Sequence, residues 1–205
     1  MKYSDYLQKR LEYLRTCDIY VEDKLEEDKQ KLVQKVNENE LKSHGYAFRN
    51  HLDEINIVAD TFRYSMLVAV CTFLEESIKF ITRQLIKDYK SKLKITKQGS
   101  WLSKHLKLLA SCAGLEIKSI ESQKILFNNV ILIRNTIAHA WGKVEASKSP
   151  KKLRDIISQY DWININDEGF IILDDQTIPN ALVAALEIIE HILQIPSTDS
   201  INFSI

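Results

Sequence analysis

The segment Leu126–Gly142 reads LFNNVILIRNTIAHAWG. Laid on a helix at about 100° per residue, Leu126, Val130, Ile133, Ile137, Trp141 and, one step beyond the segment, Val144 fall on one face. That face is expected to be core. Asn128, Asn135 and His139 line the opposite face, and Ile131 and Leu132 flank them. A stripe turned to water is normally charged, and this one is not. A helix apolar over most of its circumference, with a seam of Asn and His, is either central in a bundle or covered on its far side by another chain.

The surrounding sequence supplies the other helices of such a bundle. Residues 1–40 carry Tyr6, Leu7, Leu11, Leu14, Leu25, Leu32, Val33 and Val36 at helical spacing among many charges, so much of that helix is expected to face water. His44-Gly45 predicts a break. A second long helix is expected from about Asp53 to Lys90, on a dense stripe running from Ile57 and Val58 through Phe62, Met66, Val70, Leu74, Ile78 and Ile81 to Ile86. A shorter helix is predicted from Ser100 to Gly114, a glycine suited to a helix C′ position. The central helix is expected to start at Ser119–Ser122, where SIESQ offers capping oxygens and an early acid. A short helix follows Pro150, and WININDEGFIIL alternates around Asp167-Glu168-Gly169 as a β-hairpin does. A last helix runs from about Ile178 to Leu193, ahead of Pro196.

The expected fold is therefore all-α: a helical bundle with a long N-terminal helix and one small C-terminal β-hairpin. Residues 1–45 read as an N-terminal helical extension, 46–196 as the main helical domain and 197–205 as a tail.

Composition agrees with a folded domain. Of 205 residues, 45% are hydrophobic and 27% charged, which excludes a disordered chain, and 5 Gly with 3 Pro argue against an all-β fold rich in tight turns. Cys17, Cys71 and Cys112 are far apart, odd in number and without a CxxC pair, so neither a disulfide framework nor a structural zinc site is expected. The sequence shows no secretory leader and no apolar run approaching about 18 residues, so we expect a soluble, cytoplasmic chain with no membrane partner.

The formal net charge is zero, but it is segregated. Residues 79–107 hold nine Lys or Arg, Lys104 and Lys107 among them, against Asp88 alone. Residues 143–154 add Lys143, Lys148, Lys151, Lys152 and Arg154. From Asp161 onward there are eight acids and no Lys or Arg. Brought together in space, the two basic segments would form a surface for a polyanion.

Arg134 and His139 are the reactive pair of the central helix. On a regular helix they lie about 140° apart around the axis and about 7.5 Å apart along it. One chain alone does not present both to one small ligand, whereas a two-fold axis lets the partner's arginine reach over the first chain's histidine. Glu75 or Glu76, in an apolar helix, is a candidate to face inward toward the Arg134 guanidinium.

Arg134-Asn135-Thr136-Ile137-Ala138-His139 resembles the R-N-x-x-x-H form of the Arg-(x4 to 6)-His motif of the HEPN superfamily, the higher eukaryotes and prokaryotes nucleotide-binding domains. The preceding apolar run, the small residue before His139, and Trp141-Gly142 after it fit that pattern. So do the preceding long helix with Phe73-Leu74-Glu75 and the terminal hairpin and helix. The resemblance covers roughly residues 50–195, and its specific part is six residues long. It implies a bundle that dimerises through the motif helices and a metal-independent endoribonuclease of toxin–antitoxin or phage-defence type. RNA would be the substrate, and an antitoxin or defence-system protein a possible partner. No cofactor is implied. The alternative within the family is a catalytically inactive module that binds a partner protein or nucleotide.

Metal-free RNA cleavage needs a base for the 2′-OH, an acid for the leaving 5′ oxygen and positive charge on the phosphorane. An imidazole can both take and give a proton near neutral pH, so His139 suits the proton transfers. Arg134 suits bidentate contact with phosphate oxygens. Asn135, one turn below His139, suits fixing the imidazole or the phosphate. The resemblance implies a 2′,3′-cyclic phosphate product. Lys143, Lys104, Lys107 and Asn128 are the candidate substrate contacts, Lys143 above all because it follows His139 by one helical turn and would sit beside the bound phosphate. Among the other histidines, His44, His51 and His105 are expected at the surface and His191 in packing; His44 and His51 lack a third ligand for a metal.

Overall fold

The computed structural model describes residues 3–37, 45–86, 92 and 99–195, side chains within 36–37 and 45–48 excepted. The expected tail 197–205, His44, and Lys87, Lys90, Lys94 and Lys97 lie outside the described residues. Six α-helices and one hairpin make up the described chain: α1 (Tyr3–Asn37), α2 (Gly45–Leu85), α3 (Trp101–Ala113), α4 (Glu121–Ala140), α5 (Pro150–Ile157), β1 (Ile163–Ile165), β2 (Ile171–Leu173) and α6 (Thr177–Leu193). The all-α bundle with its long first helix and terminal hairpin is the fold.

α6 and α4 are the middle of the bundle. α6 buries Ile178, Ala181, Ala184, Ala185, Ile188, Ile189 and Ile192, where the small residues admit close approach of its neighbours. α1, α2 and α4 all pack on it. α2 starts eight residues earlier than the stripe predicts, at Gly45, and ends five earlier, at Leu85. It contains a window long and apolar enough to cross a bilayer by length and composition, contrary to the expectation that none exists. In the bundle that helix instead packs against α1, α3, α4 and α6, burying Met66, Leu67, Val70, Cys71, Leu74, Ile78 and Ile81.

α1 follows its sparse apolar stripe. Tyr3, Leu7 and Leu11 enter the same core as the rest of the bundle, and Leu25 and Leu32 are buried farther along. Arg63 of α2 fixes the pairing: it grips Glu22 of α1 through Nε and Nη2, each at 2.7 Å, and donates from Nη1 to the Leu173 carbonyl at 3.0 Å. One guanidinium thus joins α1, α2 and β2, with Arg63 and Glu22 both mostly enclosed.

Two local expectations change. α4 has no side-chain N-cap, because a 3₁₀ turn, Ile117–Ile120, runs directly into it. Ser119 is used elsewhere: its hydroxyl donates to the Glu116 carbonyl and meets His191 Nε2, each at 2.8 Å. His191 also reaches the Glu116 carbonyl, so it packs through hydrogen bonds rather than among the isoleucines. The core face of α4 is rotated as well. Phe127 and Ile131 are buried with Val130, Ile133 and Ile137, whereas Leu126 is half-buried and Trp141 is 87% exposed. The reason is that α4 contacts both α2 and α6, which widens its buried arc, and that the helix stops before Trp141.

The hairpin pairs Ile163 with Leu173 and Ile165 with Ile171, antiparallel, and buries Ile163, Ile171 and Leu173. Its turn closes on Gly169 at φ +83, where an L side chain is disfavoured, and Asn166 Oδ1 accepts from the Phe170 amide at 2.8 Å.

Candidate functional site: the Arg134–His139 helix

α4 ends at Ala140 because Trp141 and Gly142 both take left-handed backbone, φ +54 and +79. The Gly142 amide closes back on the Thr136 carbonyl at 3.3 Å, the six-to-one bond of a Schellman-type terminus. The chain then docks on the hairpin: Ile171 N–H donates to Gly142 O, and Val144 N–H to Gly169 O, both at 3.0 Å. Lys143 is therefore not a helical turn beyond His139. It bridges to Phe170, with its ammonium 5.0 Å from the centre of that ring, a cation–π distance.

Arg134 faces α2. Its Nη2 lies 3.7 Å from Glu75 Oε2, the inward contact expected of one of the two glutamates, and Nη1 donates to Asn135 Oδ1 at 3.0 Å. Its Nε is buried without a hydrogen-bond partner. Beside it Cys71 is fully buried, and burial pushes that thiol up to about 12, against the opposing pull of the Arg134 charge. Glu75 also holds Lys79 at 2.7 Å. Most of the guanidinium is enclosed, with 18% of the side chain left exposed.

His139 is exposed near the other end of the motif. Arg134 and His139 thus look in different directions from one chain, as helix geometry requires. Asn135 is bonded to Arg134 rather than to His139: it accepts from the guanidinium and lines a depression of about 340 Å³ between α3, α4 and α5. Asn128, Asn129, Ser100, Ser103 and Lys152 line the same depression, while His139 and Lys143 do not.

Asn128 is committed within the chain. Its Oδ1 accepts from Ser100 Oγ, and its Nδ2 donates to the Lys124 carbonyl at 2.7 Å. Ser100 caps α3, its hydroxyl accepting from the Ser103 amide at 3.1 Å. On α3, Lys107 is exposed and Lys104 half-buried. His105, expected at the surface, is 3% exposed. Its Nδ1 lies 2.8 Å from the Trp101 carbonyl, and burial lowers its pKa by disfavouring the charged ring.

Three lining residues escaped the sequence reading of the site. Asn129 stands next to the seam and bonds the Tyr160 hydroxyl at 2.9 Å. Ser103 carried no signal beyond its place in an N-terminal turn. Lys152 was visible as one of five basic residues, and its nearness to Asn135 depends on how α5 folds back on α4. Among the described residues, no group of three or more His, Cys, Asp or Glu is placed to hold a metal ion. The arrangement offers an exposed imidazole, a tethered and partly open guanidinium, and an amide-lined hollow with one lysine at its rim. Comparison with protein-family models, with curated proteins and with solved structures returns no match to this chain.

Proposed function

We propose that the chain is a HEPN-type, metal-independent endoribonuclease of toxin or phage-defence kind, acting as a homodimer in the cytoplasm. The observation that carries this reading is the hexad Arg134–His139 on one helix, with Asn135 bonded to Arg134 at 3.0 Å and His139 left open at the helix end. In the composite site, His139 of one copy takes the 2′-OH proton. Arg134 of the other neutralises the phosphorane. The 2′ oxygen forms a bond to phosphorus, the bond to the 5′ oxygen breaks, and a protonated His139 returns a proton to that leaving oxygen. The products are a 2′,3′-cyclic phosphate and a 5′-OH end.

The second reading is a catalytically silent module of the same kind that binds a partner protein or nucleotide. One observation favours it: Glu75 already pairs with Arg134 at 3.7 Å, and only 18% of the arginine side chain is exposed. The experiment that separates the two is incubation of purified protein with mixed RNA in EDTA, alongside His139→Ala. Cleavage with cyclic-phosphate ends, lost in the variant, supports the nuclease. Absence of cleavage alongside retained nucleotide or partner binding supports the silent module.

A further inference from the structure

Trp141 is the most exposed large apolar side chain among the described residues, at 87%. It also occupies a backbone position that suits it poorly. A φ of +54 is the left-handed region, where a bulky side chain is a true outlier and where glycine or asparagine usually ends a helix. The indole repays neither cost within its own chain, because it is not packed. Strain of this kind persists where the surroundings over-determine it.

The surroundings do so here. The Gly142 amide is bonded to Thr136 O and the Gly142 carbonyl accepts from Ile171, while the Lys143 amide bonds Ala140 O at 2.8 Å. A Cβ on Gly142 would stand 2.7 Å from the Tyr64 hydroxyl, so Tyr64 fills the space behind the turn. The turn is pinned from three sides, and the large apolar group it presents to solvent is an aromatic face two residues from His139. The neighbouring Lys143 is exposed, and its ammonium faces Phe170.

We infer that the Trp141 indole is a stacking platform for one base of single-stranded RNA, holding the nucleotide so that its 2′-OH, deprotonated by His139, stands next to the phosphate it attacks. This rests on the ribonuclease reading above. Every base has a π face, so an unpacked aromatic on rigid backbone binds single strands with little sequence preference, and the adjacent lysine adds phosphate attraction. A duplex keeps its bases stacked on each other, so Trp141 gives a preference for unpaired RNA. Trp141 is a positioning residue: it fixes the nucleotide and moves no proton.

The test compares the parent with Trp141→Ala and Trp141→Phe on a short unpaired oligoribonucleotide. Trp141→Ala is expected to raise KM roughly tenfold or more with kcat changed far less, and Trp141→Phe to restore most of the loss. In a His139→Ala background, which prevents cleavage, the oligonucleotide is expected to quench tryptophan emission. That quenching should vanish in Trp141→Phe although Trp101 and Trp162 remain. A parent that cleaves RNA while Trp141→Ala matches it in KM overturns the platform and leaves the ribonuclease reading standing. A Trp141→Ala chain that turns monomeric when the parent is dimeric also overturns it, by assigning the indole to a subunit contact. A parent that neither binds nor cleaves RNA overturns both.

Discussion

Arg134 Nη2 and Lys79 Nζ share one carboxylate, that of Glu75, at 3.7 and 2.7 Å. Lys79 also reaches Glu76 Oε1 at 3.0 Å, so two carboxylates face two cations here, and the buried Nε of Arg134 is left without a hydrogen-bond partner. The arginine is thus tied to α2 through Glu75.

That sharing sets the energetics of the pair. Both side chains are about one-fifth exposed, so the interaction is screened only in part. A double-mutant cycle of Glu75→Gln and Arg134→Gln in urea is expected to give a coupling of roughly 1 kcal/mol, shrinking as salt is added. Coupling indistinguishable from zero at low salt would mean that Arg134 is held by Asn135 and packing alone.

Asp18 carries the clearest pH dependence. It is 3% exposed, its Oδ1 lacks a hydrogen-bond partner, and its pKa rises from 3.8 to about 6. Burial is the main cause, Glu22 and Asp175 add to it, and Arg63 opposes it. The folded chain therefore holds this proton more tightly than the unfolded one. Raising the pH from about 4 to about 6 removes stability, and the loss is complete above the folded pKa. At about 1.4 kcal/mol per pH unit the difference is on the order of 3 kcal/mol. Asp18→Asn does not titrate, so its stability relative to the parent should climb across that window and level off near pH 7. A gap that stays constant with pH would show that Asp18 does not titrate in this range.

Gly142 and Tyr64 form a second coupled pair. The Tyr64 hydroxyl donates to the Ile171 carbonyl and is pushed up to about 12 by burial. Gly142→Ala adds left-handed strain and drives a methyl against that hydroxyl, for an expected loss of about 2 kcal/mol. Tyr64→Phe removes a buried hydrogen bond at a cost of about 1 kcal/mol. Because phenylalanine lacks the atom the methyl strikes, the double variant should lose less than the two single losses combined. Strict additivity in thermal or urea melts would show that the turn relaxes without meeting Tyr64.

The bundle was legible because its helices are long and their apolar stripes dense; α3, α6 and the hairpin lie close to where periodicity and turn residues put them, whereas α2 keeps its stripe but starts eight residues earlier. What periodicity could not supply is where α4 ends. Trp141 continues the apolar face on a helical wheel, and only the docking of Gly142 and Lys143 on the hairpin shows that the helix has already stopped. The same tertiary contact moved Lys143 off the face of His139. His105 was misread for a related reason: lysines on either side describe the outer face of α3, while His105 lies on the face turned to α2. The Glu75–Arg134 contact was readable in part: a carboxylate in an apolar stripe needs a partner, but the stripe does not choose between adjacent Glu75 and Glu76.

The composite site makes a demand that a single-chain site does not. If Arg134 of one copy serves His139 of the other, then Arg134→Ala and His139→Ala are each inactive as homodimers. In a mixed dimer, however, the intact arginine of one chain faces the intact histidine of the other at one of the two sites, and the second site lacks both groups. Random exchange makes half of the dimers mixed, each with half of its sites restored, so the mixture should recover about a quarter of the parent rate. The measurement is RNA cleavage after the two purified variants are unfolded together and refolded, with sedimentation at micromolar concentration to verify dimers. Proton transfer contributes roughly 10² to 10⁴-fold, so a restored quarter stands far above either variant alone. A mixture of dimers as inactive as its parents would place both residues of each working site on one chain, and a parent that sediments only as a monomer would remove the shared site altogether.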